Sequence, residues 1–147
     1  MLLTIDIGNT NIKYGVFDDK KLLASFRVSS RRKLTADEYG SVLVNLLHDK
    51  GINKTDINGI IISSVIPSLN YTITHMCEYF FGISPLMVGP GIKTGLNIKV
   101  ENPKEMGADR IVNSVSAYNK YGGPIVVIDF GTATTFNIID KDGAFIG

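Results

Sequence analysis

Three short runs rich in β-forming residues open the chain: LLTIDIG at 2–8, IKYGVF at 12–17 and LLASFRV at 22–28, separated by the turn-formers GNTN and DDKK. They predict three consecutive antiparallel strands. The period then changes. In TADEYGSVLVNLLHDKG, the residues Tyr39, Val42, Leu43, Leu46 and Leu47 fall at i, i+3, i+4, i+7 and i+8, one face of a helix. Thr35 is its N-cap, with Glu38 three places on, and Gly51 its stop. NGIIISSV at 58–65 is too short for a helix and β-branched enough for a buried parallel strand. Pro67 opens a second helical pattern that sets Leu69, Ile73, Met76, Cys77 and Phe80 on one face and ends at Gly82. PLMVG at 85–89 is a further short strand.

Residues 90–106 are rich in Gly, Pro, Asn and Lys and read as a long ordered loop, a length that in a compact domain commonly carries function. GADRIVNSVSAYNKYGG follows, with Ile111, Val115 and Tyr118 spaced for a helix that runs out at Gly122 and Gly123. PIVVIDFG is expected to be a buried strand and TTFNIID its hairpin partner, with a turn at Lys141-Asp142-Gly143 and one more strand beginning in GAFIG. The order βββαβα, short strand, helix, β-turn-β resembles an α/β ribonuclease H-like domain followed by the start of a second copy. That is the duplicated layout of the acetate kinase, sugar kinase, Hsp70 and actin superfamily. The expected division is a first ribonuclease H-like lobe over 1–106 and the start of a second, incomplete lobe over 107–147. About 40 residues bury too little apolar surface for a core of their own, so the chain reads as a fragment of a longer protein.

Composition narrows the functional classes. Hydrophobic residues make up 44% of the 147 and charged residues 20%, the balance of a globular protein. The net charge of +1 comes from 15 basic and 14 acidic residues scattered along the chain, which leaves no stripe for nucleic acid or acidic lipid. One local cluster, Arg31, Arg32 and Lys33, reads as a solvated loop. Cys77 is the single cysteine, so neither an intrachain disulfide nor a cysteine-rich metal site can form. No secretory signal precedes the first strand, and no apolar stretch approaches the roughly 20 residues of a membrane span. The expectation is a cytoplasmic protein with neither nucleic-acid nor membrane partners.

The chemistry gathers at two similar phrases, Asp6-Ile7-Gly8-Asn9-Thr10 and Asp129-Phe130-Gly131-Thr132. A DxGNT turn between two strands offers backbone N–H groups turned the same way, beside hydroxyl and amide side chains, and such a turn can cradle phosphate oxygens. Asp6 can hold a cation or its waters against the phosphates, and Lys13 can reach a phosphate as a point charge. Turns favour the same residues for purely structural reasons, so one copy alone does not separate a phosphate loop from an ordinary hairpin. The second copy shifts the balance. Asp129 ends an apolar run, where a carboxylate is costly unless paired or metal-bound, and Gly131, Thr132, Thr134 and Thr135 supply a turn and three hydroxyls.

GADR at 107–110 opens a helix whose positive dipole end favours the Asp109 carboxylate. A plain helix-start acid beside a surface arginine has the same spacing. In the functional reading, Asp109 serves as a base or orienting group for a substrate hydroxyl and Arg110 holds an anionic part of that substrate. Other motifs fail: no GxxxxGK[ST] occurs, and GPGIKTG at 89–95 has one residue too many for GxGxxG and leads into a loop. His48 and His75 stand singly on helices, and Met76 and Cys77 lie on an apolar helix face where core packing accounts for them.

Taken in order, DIGNTNIKYGVF at 6–17, SSVIP at 63–67, PGIKTGL at 90–96, ENPKEMGADRIVNSVSAY at 101–118 and VVIDFGTATTFNIID at 126–140 resemble type III pantothenate kinase. The resemblance implies ATP-dependent phosphorylation of pantothenate to 4'-phosphopantothenate, the first step of coenzyme A synthesis. It also implies that Asp6, Ile7, Gly8, Asn9, Thr10, Asn11, Ile12 and Lys13 form the first phosphate motif, and that Thr132 belongs to the second. Asp109 matches the proton acceptor, Gly107, Ala108, Asp109 and Arg110 the substrate-binding motif, and Asp129 the aspartate that holds potassium or ammonium. A divalent cation, magnesium, would accompany ATP, and the intact protein would be a homodimer. Val100 stands where many members carry a tyrosine that contacts pantothenate. Two alternatives stay open: a catalytically silent accessory protein of the same fold, and a kinase of the superfamily acting on a sugar or acetate.

Overall fold

A computed structural model describes residues 1–31 and 33–147, so Arg32, in the basic cluster, lies outside the described residues. The chain forms two compact units, Met1–Met87 and Val88–Gly147. Residues 88–106 therefore pack with the second unit.

The first unit runs β1 (Leu2–Ile7), β2 (Asn11–Asp18), β3 (Lys21–Ser29), α1 (Ala36–Asp49), β4 (Gly59–Ser64), α2 (Pro67–Phe81) and β5 (Leu86–Met87). Its sheet has the order β3-β2-β1-β4-β5, with β1–β3 antiparallel and β4 parallel to both β1 and β5. Register explains the core. Leu3↔Val16, Ile5↔Tyr14 and Ile7↔Ile12 pair across β1 and β2, and all six side chains are buried on one face. Helix α1 adds Tyr39, Leu43 and Leu47, and α2 adds Leu69, Ile73, Met76 and Cys77. Burial pushes the Cys77 thiol up to about 12, which makes it a small hydrophobe rather than a nucleophile.

The predicted start of α1 is present in full. Thr35 Oγ1 accepts from the Glu38 N–H at 3.3 Å while Glu38 Oε2 accepts from the Thr35 N–H at 2.8 Å. Gly51 (φ 71°) and Gly82 (φ 67°) follow the two helices in the left-handed region, where a side chain would be strained. The buried stripe of α1 differs from its expected face. Val42 is 45% exposed while Gly40 is buried, because α1 turns the Gly40 side toward the Phe80 ring of α2.

The second unit contains β6 (Asn97–Ile98), α3 (Ala108–Tyr121), β7 (Ile125–Phe130), β8 (Thr134–Ile139) and β9 (Ala144–Phe145), in the sheet order β6-β9-β8-β7. Strand β6 is a departure from the expected loop: its two residues pair in parallel with Ala144 and Phe145. Strand β7 departs as well, since it is not a buried strand. Ile125, Val127 and Asp129 face inward, while Val126, Ile128 and Phe130 are exposed at 55%, 46% and 82%. On β8, Phe136 and Ile138 are likewise exposed, so this sheet carries one covered and one uncovered apolar face. The covered side holds Met106, Ile111, Ile139 and Phe145, with Val100 among the residues packed against them.

Candidate active site

The first phosphate motif is the tip of the β1–β2 hairpin. Its turn is closed by the Gly8 N–H donating to Asn11 O at 3.0 Å, and a Cβ on Gly8 would sit 3.1 Å from that same oxygen, so glycine allows the tight closure. The end of β3 ties the turn from outside. Ser30 Oγ donates to Gly8 O at 2.6 Å and Ser30 N–H to Thr10 O at 3.0 Å. Carbonyls of the turn are thus held by the protein, while Asn9 and Thr10 are exposed and their N–H groups have no hydrogen-bond acceptor among the described residues. This is the distribution an anion cradle requires. Ile7 and Ile12 are fully buried, so they can offer a ligand only their backbone. Asp6 and Lys13 are directly opposite each other across the ladder, a carboxylate and an ammonium on one face beside the turn, with Ser63 next to Asp6 on β4.

GADR caps α3. Gly107 is the N-cap in extended conformation, Ala108 is buried, and the half-buried Asp109 occupies the first turn. Asp109 Oδ1 accepts from the Arg110 N–H at 2.8 Å, and among the described residues no donor reaches Oδ2. Arg110 turns onto the sheet. Its Nε donates to Asn137 Oδ1 at 2.6 Å, its Nη2 to Phe136 O at 3.1 Å, and its guanidinium lies 5.1 Å from the centre of the Phe145 ring. A guanidinium has five N–H donors, so two bonds fix the arm and leave three for a ligand.

On β7, Asp129 Oδ2 accepts from Asn113 Nδ2 of α3 at 3.1 Å. The turn that follows is closed by the Gly131 N–H donating to Ala133 O at 3.3 Å, and Thr132, Ala133 and Thr134 are exposed. Asp109, Arg110 and Asp129, all expected from the sequence, are thereby gathered along α3 and the inner face of β7 and β8. Ser30, Asn113 and Asn137 escaped sequence reading, and each acts on another site residue rather than being part of a motif. Asn137 Nδ2 and Ser114 Oγ are buried without a hydrogen-bond partner among the described residues.

A divalent or monovalent cation fits only a sparse site. Among the described residues no group of three or more His, Cys, Asp or Glu side chains converges. A cation held by one carboxylate together with phosphate and water oxygens matches the single carboxylates Asp6 and Asp129.

Solved structures with the same fold include YeaZ from Pseudomonas aeruginosa (TM-score 0.52, 11% identity, 99% of this chain and 64% of that one). The ROK hexokinase from Thermus thermophilus is another (TM-score 0.50, 15% identity, 99% of this chain and 47% of that one). These likenesses show the fold alone. The type III pantothenate kinase of Listeria welshimeri is 52% identical over 147 residues, all of this chain and 57% of that protein. The chain thus spans a little over half the length of the curated relatives it matches. The family model for type III pantothenate kinase matches residues 2–147, and with that match the chain belongs to the type III pantothenate kinase family.

Proposed function

We propose that the protein transfers the γ-phosphoryl group of ATP to the hydroxyl of pantothenate, giving 4'-phosphopantothenate and ADP, the first step of coenzyme A synthesis. The observation that carries this reading is the start of α3, where among the described residues no donor reaches Asp109 Oδ2 and Arg110 is held in place beside it. Asp109 takes the hydroxyl proton as the new O–P bond forms and the bond from the γ-phosphorus to ADP breaks. Gly107, Ala108 and Arg110 bind pantothenate, with the remaining N–H groups of Arg110 directed to its anionic end. Phosphoryl transfer depends mainly on positioning and charge neutralisation, so these parts suffice.

ATP is held at residues 6–13 and at Thr132. Asn9 and Thr10 supply the backbone N–H groups, and Lys13 supplies a point charge. Magnesium accompanying ATP would be met by Asp6, and potassium or ammonium by Asp129; such ions neutralise charge on the phosphates. The intact protein is read as a cytoplasmic homodimer, and as one with a second ribonuclease H-like lobe to which the second unit, Val88–Gly147, belongs.

The test is pantothenate-dependent ADP formation by the full-length protein in potassium chloride, with glucose and acetate as rival acceptors. Asp109→Asn should lower kcat by about 10²- to 10⁴-fold, the usual worth of a general base, with ATP affinity by calorimetry kept within a few-fold. A variant with near-parental kcat removes the role of Asp109. A parent protein that turns over no pantothenate removes the function, leaving a sugar or acetate kinase where one of those acceptors is consumed and the silent accessory protein where neither is.

A further inference from the structure

We infer that Asn113 is a positioning residue for Asp129. The proposal rests on the cation role of Asp129 given above.

Asn113 lies one helical turn after Asp109, so α3 presents the proton acceptor and this amide on one face. Its Nδ2 donates to Asp129 Oδ2 at 3.1 Å, and among the described residues Asn113 is the single hydrogen-bond partner of the Asp129 carboxylate. The amide must face this way round, because turning its oxygen to the carboxylate would set two acceptors against each other. Both side chains are half-buried, where one hydrogen bond is enough to select a carboxylate rotamer.

The residue type matters as much as the contact. A neutral donor orients the carboxylate while leaving its full negative charge and its second oxygen for a cation. A lysine or arginine at this place would neutralise that charge and compete with the cation for it. Asn113 therefore does for Asp129 what outer partners do for other ligating carboxylates: it holds the ligand still without being one. It also couples α3 to the inner face of β7, so that the helix carrying Asp109 and the strand carrying Asp129 share one hydrogen bond.

The measurement is the thermal midpoint of the full-length protein titrated with potassium chloride, with choline chloride as the ionic-strength control. It is run for the parent, for Asn113→Ala and for Asn113→Ser, whose hydroxyl is too short to reach Oδ2. Alanine is the better helix former, so α3 should persist in the first variant. The half-saturating potassium concentration should rise by about tenfold or more in both variants, the usual effect of losing a ligand's outer partner. In turnover assays, the potassium needed for half-maximal rate should rise in parallel, and kcat at saturating potassium should return toward that of the parent. A purely structural role would lower kcat at every potassium concentration and leave the half-saturating value unchanged, and that result overturns the proposal while keeping Asp129 as a cation ligand. A parent that responds to potassium no more than to choline overturns the cation role of Asp129 and this proposal together.

Discussion

Gly40→Ala should destabilise the first unit even though it places the best helix former in the interior of α1. Propensity alone favours the change by about 1 kcal/mol, since glycine in a helix loses more backbone entropy than alanine. The packing opposes it. A Cβ on Gly40 would stand 2.2, 2.3 and 2.6 Å from three carbons of the Phe80 ring, well inside ordinary contact. The ring must withdraw by more than about 1 Å to reach the usual carbon–carbon separation of about 3.5–4.0 Å. Its retreat also disturbs the edge contact with Tyr79, whose ring centre lies 5.4 Å away. Overpacking of this kind costs about 1–3 kcal/mol, and so deep a clash belongs in the upper part of that range. The net expectation is a loss of about 1–2 kcal/mol after the propensity gain is subtracted.

Urea unfolding followed by circular dichroism reads this as a lower midpoint at unchanged slope. A second background makes the reasoning stricter. With Phe80→Ala in place the ring is gone, so adding Gly40→Ala should then stabilise by up to about 1 kcal/mol, reversing the sign of the single change. Equal effects in the two backgrounds would show that Gly40 is not selected by the Phe80 ring, and the account of the α1–α2 contact would fall.

Two further outcomes follow from single side chains. Ser30→Ala removes the hydroxyl that fastens Gly8 O at 2.6 Å, and a lost hydrogen bond of about 1 kcal/mol should raise the KM for ATP about fivefold with little change in kcat. An unchanged KM would mean that the turn keeps its shape without Ser30. The Asp140 carboxyl is held below the usual carboxylate range, first by the Ala144 N–H and, against some desolvation, also by the Asp142 N–H. A depressed folded-state pKa contributes stability that is present above the unfolded value of about 3.9 and is lost as pH falls through the folded one. Asp140→Asn should therefore lower the urea midpoint near neutrality and converge with the parent in acid, which flattens the fall below about pH 4, and an unaltered acid slope would count against it.

How far the sequence reaches is decided by the distance over which each feature is determined. The strands of the first unit, the Thr35–Glu38 capping box and the glycine stops are local, and a period or a residue type within a few positions specifies them. The buried side of α1 is not local, because it depends on where α2 passes, and Val42 therefore lies outside a stripe that spacing alone assigns to it. Strand β7 was misread for a related reason. IVVIDF is apolar on both alternations, which is the pattern of a strand covered on two faces, whereas this chain covers one.

The motif residues were legible because they sit together in sequence. Their fasteners were not, since Ser30 reaches back 22 positions to Gly8, Asn113 forward 16 to Asp129, and Arg110 forward 27 to Asn137. One cue was available. Asp129 and Asn137 occupy inward positions, in alternation with Val127 on one strand and Ile139 on the other, where a core would ordinarily take apolar residues. Polar side chains on the buried side of a sheet need partners, and the covering helix must supply them from its own inner face. On α3, flanking the apolar positions Ile111 and Val115, that requirement selects Arg110 and Asn113, which are the residues that make the contacts.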